Sequence, residues 1–298
     1  AKFNYIRNSV KVTVDAFNGT VRFYIIDPTD PLVGAYQNIF PGLFVPLEDM
    51  PISLRDHLRY PQDMFGFQAG KYLKYHMSVP QDFYNLEDIW SIPNEKFGQR
   101  SDDLQPVDPY YVMMKVPGEE QEEFVLLLPL TRNVPPIMAG WLAARNDGDA
   151  YGELVSFYFP KDRQVDSPEQ VEARIDNDPY ISEWQTLRCV EGSGSTCIRG
   201  NLLVIPMADD DSFGLLYAEP LYLLAEGVKF PELKQVILAT QEKVVMEDSV
   251  PEAIKSLTGF SRTDIVTKVD KQQSASDDTV QPTNSIRAGI KSLTDAIE

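Results

Sequence analysis

At 298 residues, with 43% hydrophobic and 11% aromatic side chains, the chain has the make-up of a folded globular protein of one large domain or two ordinary ones. Its formal net charge of −18 argues against nucleic acid, whose phosphates it would repel, and against broad docking on an anionic membrane leaflet. No apolar run approaches the roughly 18 residues needed to span a bilayer, and no charged n-region with an apolar h-region follows Ala1, so neither a bilayer span nor a signal peptide is expected.

Val10, Val12 and Val14 alternate with Lys11, Thr13 and Asp15; Asn18-Gly19 offers a turn, and Val21, Phe23 and Ile25 return. The pattern predicts a hairpin over 9–27 with one buried and one wet face. Thr29 or Asp30 then caps a helix that has Pro31 at its first position and Leu32, Ala35, Tyr36 and Ile39 as its apolar stripe. Pro51 begins a helix near 52–59. Pro61 begins another, reaching about Met77 with a broad face that includes Met64, Phe65, Phe67, Tyr72 and Tyr75. A shorter helix is expected over 81–90. Residues 94–108 are polar, contain Gly98 and Pro106, and read as a loop.

Strands return at 110–116 and 124–129, joined at Pro117-Gly118. The run Phe124-Val125-Leu126-Leu127-Leu128 lacks polar alternation, which requires cover on both faces. Residues 138–145 suit a strand or a short helical turn, and 154–159 a strand with Val155, Phe157 and Phe159 on one face. A helix from about Gln170, with Val171, Ala173 and Ile175 on its apolar side, breaks at Asp176-Asn177-Asp178-Pro179, and a second runs over 181–187. Gly192-Ser193-Gly194-Ser195 is a turn; 198–207 and 213–224 are apolar strands joined through Asp209-Asp210-Asp211. Strands at 231–238 and 244–246 and a helix over 252–257 ending at Gly259 complete the core. Residues 261–284 read as a flexible linker and 285–298 as a short amphipathic helix carrying Ile286, Ile290, Leu293 and Ile297. The fold class is α+β: antiparallel β-sheets, a helical segment near residues 30–90 and a flexible C-terminal tail. The domain covers 1–260, with a division into lobes near 108 left open.

Several blocks resemble one family in order along the chain. They are Tyr5-Ile6-Arg7-Asn8-Ser9-Val10-Lys11, Ile39-Phe40-Pro41, His57-Leu58-Arg59-Tyr60-Pro61, Met138 to Arg145, Gln170 to Ser182, Ile198 to Met207 and Leu215 to Leu223. They are similar to the soluble C-terminal region of uncharacterised protein family 0182, large bacterial and archaeal membrane proteins with several N-terminal transmembrane helices. The resemblance carries no catalytic motif. It implies an extracytoplasmic location, on a soluble piece of an integral membrane protein, with the membrane-embedded part of the parent as a partner. A further protein partner or a homo-oligomer also fits. In such a compartment Cys189 and Cys197, eight positions apart, are candidates for a disulfide; two free thiols are the alternative.

Candidate chemistry is sparse. His57 follows Asp56, but helical neighbours point in different directions, and its separation from His76 matches no metal motif. Both read as packed histidines. Phosphate-binding glycine loops are absent, and Ser193 and Ser195 lack a nucleophile elbow. Asp176 and Asp178 are candidate metal ligands, because Asp-Asn-Asp alternates oxygens like a calcium loop. No glycine stands three residues after Asp178, and the twelfth position lacks glutamate, so capping by Asn177 or Asp178 competes. Glu219 joins them as a carboxylate that a distant acid could meet. Glu172 and Arg174 suggest a local salt bridge, and Arg199 a partner for one of these acids. No cofactor is expected beyond a divalent cation at that site. The sequence favours a noncatalytic domain for assembly, sensing or partner recognition; the alternatives are an envelope hydrolase built on a carboxylate pair and a divalent-cation-binding domain.

Overall fold

In the computed structural model, which describes residues 5–99, 104–119, 121–160, 162–189, 194–208 and 213–259, the chain opens with an antiparallel hairpin, β1 (Val10–Val14) and β2 (Val21–Ile25). The expected linker, the 285–298 helix and Asp209-Asp210-Asp211 lie outside those residues. Asp15 shapes the hairpin turn: its carboxylate accepts from the Phe17 N–H (2.8 Å) and its carbonyl from that of Gly19 (2.8 Å), which sits at φ +76°. Asp30 accepts from the Leu32 N–H (2.9 Å) and caps α1 (Pro31–Ile39). β3 (Phe44–Pro46) then pairs in parallel with β2.

Both apolar faces of this region depart from expectation. Val12, Val14 and Val21 are exposed, and α1 buries Val33 while turning Leu32, Tyr36 and Ile39 to the outside. Periodicity marks an apolar face, but a second element must arrive to cover it. Among the described residues the cover on these faces reaches only Ile25 and Val33 fully and leaves Val10 and Phe23 half-buried.

α2 (Ile52–Arg55) is a single turn, and α3 (Gln62–Tyr75) presents Phe65 and Ala69 to the core. α4 (Pro80–Asn85) stops at Leu86, whose φ is +57°. The helix expected over 81–90 therefore ends early, and Trp90 enters β4 (Trp90–Ser91). The expected loop at 94–108 contains a two-stranded sheet of β5 (Asn94–Lys96) and β6 (Leu104–Pro106). Strands of three residues, Asn-Glu-Lys and Leu-Gln-Pro, are too short to show an alternation.

β7 (Tyr110–Lys115), β8 (Glu122–Arg132), β9 (Met138–Arg145) and β10 (Leu154–Tyr158) follow as an antiparallel meander. β4 and β7 lie end to end along the same edge of β8. This sheet is the middle layer. Leu126, Leu128 and Leu130 pack with Tyr60, Phe65, Ala69 and Trp90 on one side. Val125 and Leu127 join the larger core on the other. The smaller core thus crosses position 108 and ties α3 to the meander.

At Gly140 the β9 and β10 backbones approach closely: a Cβ there would lie 1.9 Å from the Phe157 carbonyl oxygen. Gly140→Ala is expected to cost about 1–3 kcal/mol, as other overpacked sites do. The check is a lower denaturant midpoint at unchanged slope.

α5 (Pro168–Asn177) and α6 (Pro179–Arg188) precede the last sheet. The apolar run 198–207 is divided between β11 (Ser195–Arg199) and β12 (Leu203–Ala208). Both pair with the long β13 (Phe213–Ala225), at residues 221–225 and 213–218 respectively. The break falls where the Gly200 N–H donates to the Pro220 carbonyl (2.9 Å) and a Cβ on Gly200 would meet Pro220 Cγ at 2.6 Å. β14 (Glu232–Ala239) and β15 (Val244–Glu247) complete the sheet, and α7 (Val250–Thr258) packs on them and ends at Gly259, φ +77°. The result is an α+β fold of antiparallel sheets, with β2–β3 as the one parallel pair described.

Candidate functional site

The densest charged chemistry lies where α5, β5, β11 and β13 meet. α5 begins at Ser167, whose hydroxyl accepts from the Gln170 N–H while the Gln170 side chain accepts from the Ser167 N–H. This capping box sets the helix phase. Glu172 and Asp176, one turn apart, then share a face. Arg199 ends β11 opposite Leu221, and Glu219 stands two residues before Leu221 on β13, so both side chains leave the same face of that sheet.

Arg199 joins these elements. It donates Nε and Nη2 to the two oxygens of Glu219 (2.5 and 2.8 Å) and Nη1 to Asp176 (2.7 Å); Nη2 also reaches Glu172. Lys96 of β5 takes the other Asp176 oxygen, and its backbone N–H donates to Glu172 (3.2 Å). Side-chain exposure is 5% at Arg199, 3% at Glu172 and 0% at Glu219. Beside them the buried Glu95 accepts from the Leu202 N–H (2.7 Å), Asn201 (2.8 Å) and Gln105 (3.3 Å). Thus Glu95 and Lys96, placed by sequence in a loop, are part of the cluster.

Burial raises the Glu172 carboxyl to about 8; repulsion from Glu219 adds to this and Arg199 opposes it. Glu219 is also raised, by burial against the pull of Arg199. Glu95 is raised by burial, with its hydrogen bonds opposing. Burial draws Arg199 down, but Glu219, Glu172 and Asp176 outweigh it and leave the guanidinium raised and charged. Every carboxylate here is engaged by a donor. The arrangement is suited to holding four elements together and to exchanging a proton.

The other sequence candidates have separate roles. Asp178 caps α6, its carboxylate accepting from the N–H groups of Tyr180 and Ile181 (both 3.0 Å). Asp176 and Asp178 therefore serve different partners, and among the described residues no group of three or more His, Cys, Asp or Glu side chains is gathered as a metal site. Cys189 and Cys197 form a disulfide that links the end of α6 to β11. Exposed His57 meets the Ser53 carbonyl (2.7 Å), and His76 stacks on Trp90 with ring centres 3.9 Å apart. The local Glu172–Arg174 bridge does not form: Arg174 turns to Asp166 (3.4 Å) and to the carbonyls of Thr240 and Gln241. Arg199 meets three acids where one was expected. The i,i+4 spacing of Glu172 and Asp176, with a lone arginine beside an apolar run, was the signal available for that.

Comparison with known proteins adds ancestry. A model of an uncharacterised protein family (UPF0182) matches residues 1–188. A UPF0182 protein of Moorella thermoacetica is 51% identical over 257 residues, covering 86% of this chain and 27% of that protein. One from Pelotomaculum thermopropionicum is 50% identical over 260 residues, covering 87% and 28%. One from Nostoc sp. is 48% identical over 254 residues, covering 85% and 24%. No solved structure matches the chain. It spans about a quarter of the length of these curated relatives. With that identity sustained over most of its length, the chain belongs to the uncharacterised protein family UPF0182.

Proposed function

We propose that this chain is a noncatalytic, extracytoplasmic domain of a polytopic membrane protein, and that it serves assembly and partner recognition through its N-terminal sheet and α1. The observation that carries the reading is the uneven placement of apolar side chains. Residues 5–54 hold nearly half of the large apolar side chains left exposed among the described residues, yet only four of the buried ones, Tyr24, Ile25, Val33 and Met50. Phe17 is fully exposed at the hairpin tip, and Leu32, Tyr36 and Ile39 line the outer side of α1, with Phe40 exposed just past its end. Patches of this kind mark interaction surfaces. The occupant is the remainder of the parent protein, since the relatives are several times longer than this chain. The Cys189–Cys197 disulfide supports an oxidising compartment. The hydrolase alternative is less well supported, because Glu172 and Glu219 are buried and both are paired with Arg199.

The test compares amide exchange in this chain and in the full-length Moorella relative in detergent. Residues matching 10–25 and 31–40 should exchange more slowly in the full protein; equal rates would sink the interface. Labelling of intact cells with a membrane-impermeant amine reagent should reach the domain, and labelling only after lysis would remove the extracytoplasmic assignment. Tyr36→Ser with Phe40→Ser is expected to change the stability of the isolated chain by no more than about 0.5 kcal/mol each, as for other exposed sites. The same pair should remove the protection in the full protein.

A further inference from the structure

The β5–β6 pair is too small to stand alone, since an isolated two-stranded hairpin is at best marginally stable. It is held by carboxylates. Glu169 of α5 accepts from the Asn94 N–H (3.1 Å) and side chain (2.9 Å), Glu172 accepts from the Lys96 N–H (3.2 Å), and Asp176 pairs with the Lys96 ammonium. From below, Glu95 binds Asn201 and the Leu202 N–H, and Gly98 exchanges backbone hydrogen bonds with Arg199 (3.0 and 2.9 Å). The charged groups facing the Glu172–Glu219 pair are Asp176 from α5, Arg199 from β11, and Lys96 and Glu95 from β5; Asp108 acts on Glu95. Fully ionised, the cluster sets two cations, the buried Arg199 and the half-buried Lys96, against four carboxylates, the buried Glu95, Glu172 and Glu219 and the half-buried Asp176. Excess negative charge away from water is costly, and uptake of one proton halves this one.

We infer that this cluster is a proton-linked latch: one proton held by the Glu172–Glu219 pair clamps β5–β6 to α5 and β13, and its release in alkaline solution loosens that strand pair. The direction follows from linkage. The Glu172 carboxyl is raised in the folded chain to about 8, so the folded chain keeps a proton that the unfolded chain has already released. The stability this adds is full below the ordinary glutamate range and is lost as pH rises through about 8.

The experiment measures the melting temperature of this chain, and the exchange of amides 94–106 corrected for intrinsic rates, from pH 5.5 to 9. The wild-type chain should melt lower and exchange faster in this segment above pH 8. Glu172→Gln, which keeps the shape without the titration, should flatten both profiles and melt higher than wild type at pH 9. Flat wild-type profiles, or a Glu172→Gln profile as steep as wild type, would overturn the latch. If that variant does not fold, the carboxyl-carbon NMR titration of the wild-type chain decides. A Glu172 or Glu219 resonance titrating near pH 8 upholds the latch, and both titrating in the ordinary glutamate range overturns it.

Discussion

Replacing Arg199 with methionine is expected to destabilise the chain by about 3–5 kcal/mol, the range seen when one partner of a buried ion pair is removed. The guanidinium serves Glu219 through two hydrogen bonds and also Glu172 and Asp176, so its loss leaves three acids without their central cation. Lys96 still pairs with Asp176. The burden then falls on Glu172 and Glu219, which can shed it by taking up protons. The loss should therefore be smaller at pH 5 than at pH 8. Arg199→Met combined with Glu219→Leu should recover part of the stability, because an apolar pair avoids the desolvation that a lone carboxylate suffers. Denaturant midpoints of the two variants and wild type check this. A loss below about 1 kcal/mol in the single variant would mean that the cluster holds little of the fold together.

Trp141→Ala is the second large effect, expected at about 3–5 kcal/mol for removal of a buried aromatic side chain. Trp141 lies on β9 between Pro129 of β8 and Phe157 of β10, and its ring stacks on Phe157 with centres 5.5 Å apart. Its indole nitrogen is buried without a hydrogen-bond partner among the described residues, so the substitution removes packing and a cavity remains. Trp141→Phe should restore most of the loss. Chemical denaturation read by far-UV circular dichroism separates the three chains. A Trp141→Ala change under about 1 kcal/mol would show that the meander relaxes into the space.

The particular elements differ in how far they could be read in advance. Asp30 with Pro31, and Gly118 between two strands, act within a few residues, and their elements stand where the pattern puts them. The unbroken run at 124–128 announced two covered faces, and both are covered. By contrast, Val12, Val14 and Val21 of the hairpin and the stripe of α1 looked buried and are exposed. The run 198–207 looked like one strand and is two, parting where the Gly200 N–H donates to the Pro220 carbonyl from a different part of the chain. β5 and β6 had no pattern of their own, and they persist through carboxylates supplied by α5.

The sequence by itself determined the Asp30 cap, the Asn18-Gly19 and Pro117-Gly118 turns, the order of most strands and helices, the α+β class and the family. These depend on hydrogen bonds and side-chain periods spanning a few residues, or on blocks kept in order along the chain. Only the tertiary structure decided that Arg199 meets Glu172, Asp176 and Glu219, that Glu95 and Lys96 join them, and which apolar faces are covered. The contacts of Arg199 link groups 20 residues apart at Glu219, 23 at Asp176 and 27 at Glu172. Charge and burial become strong there only after folding has removed the water between them.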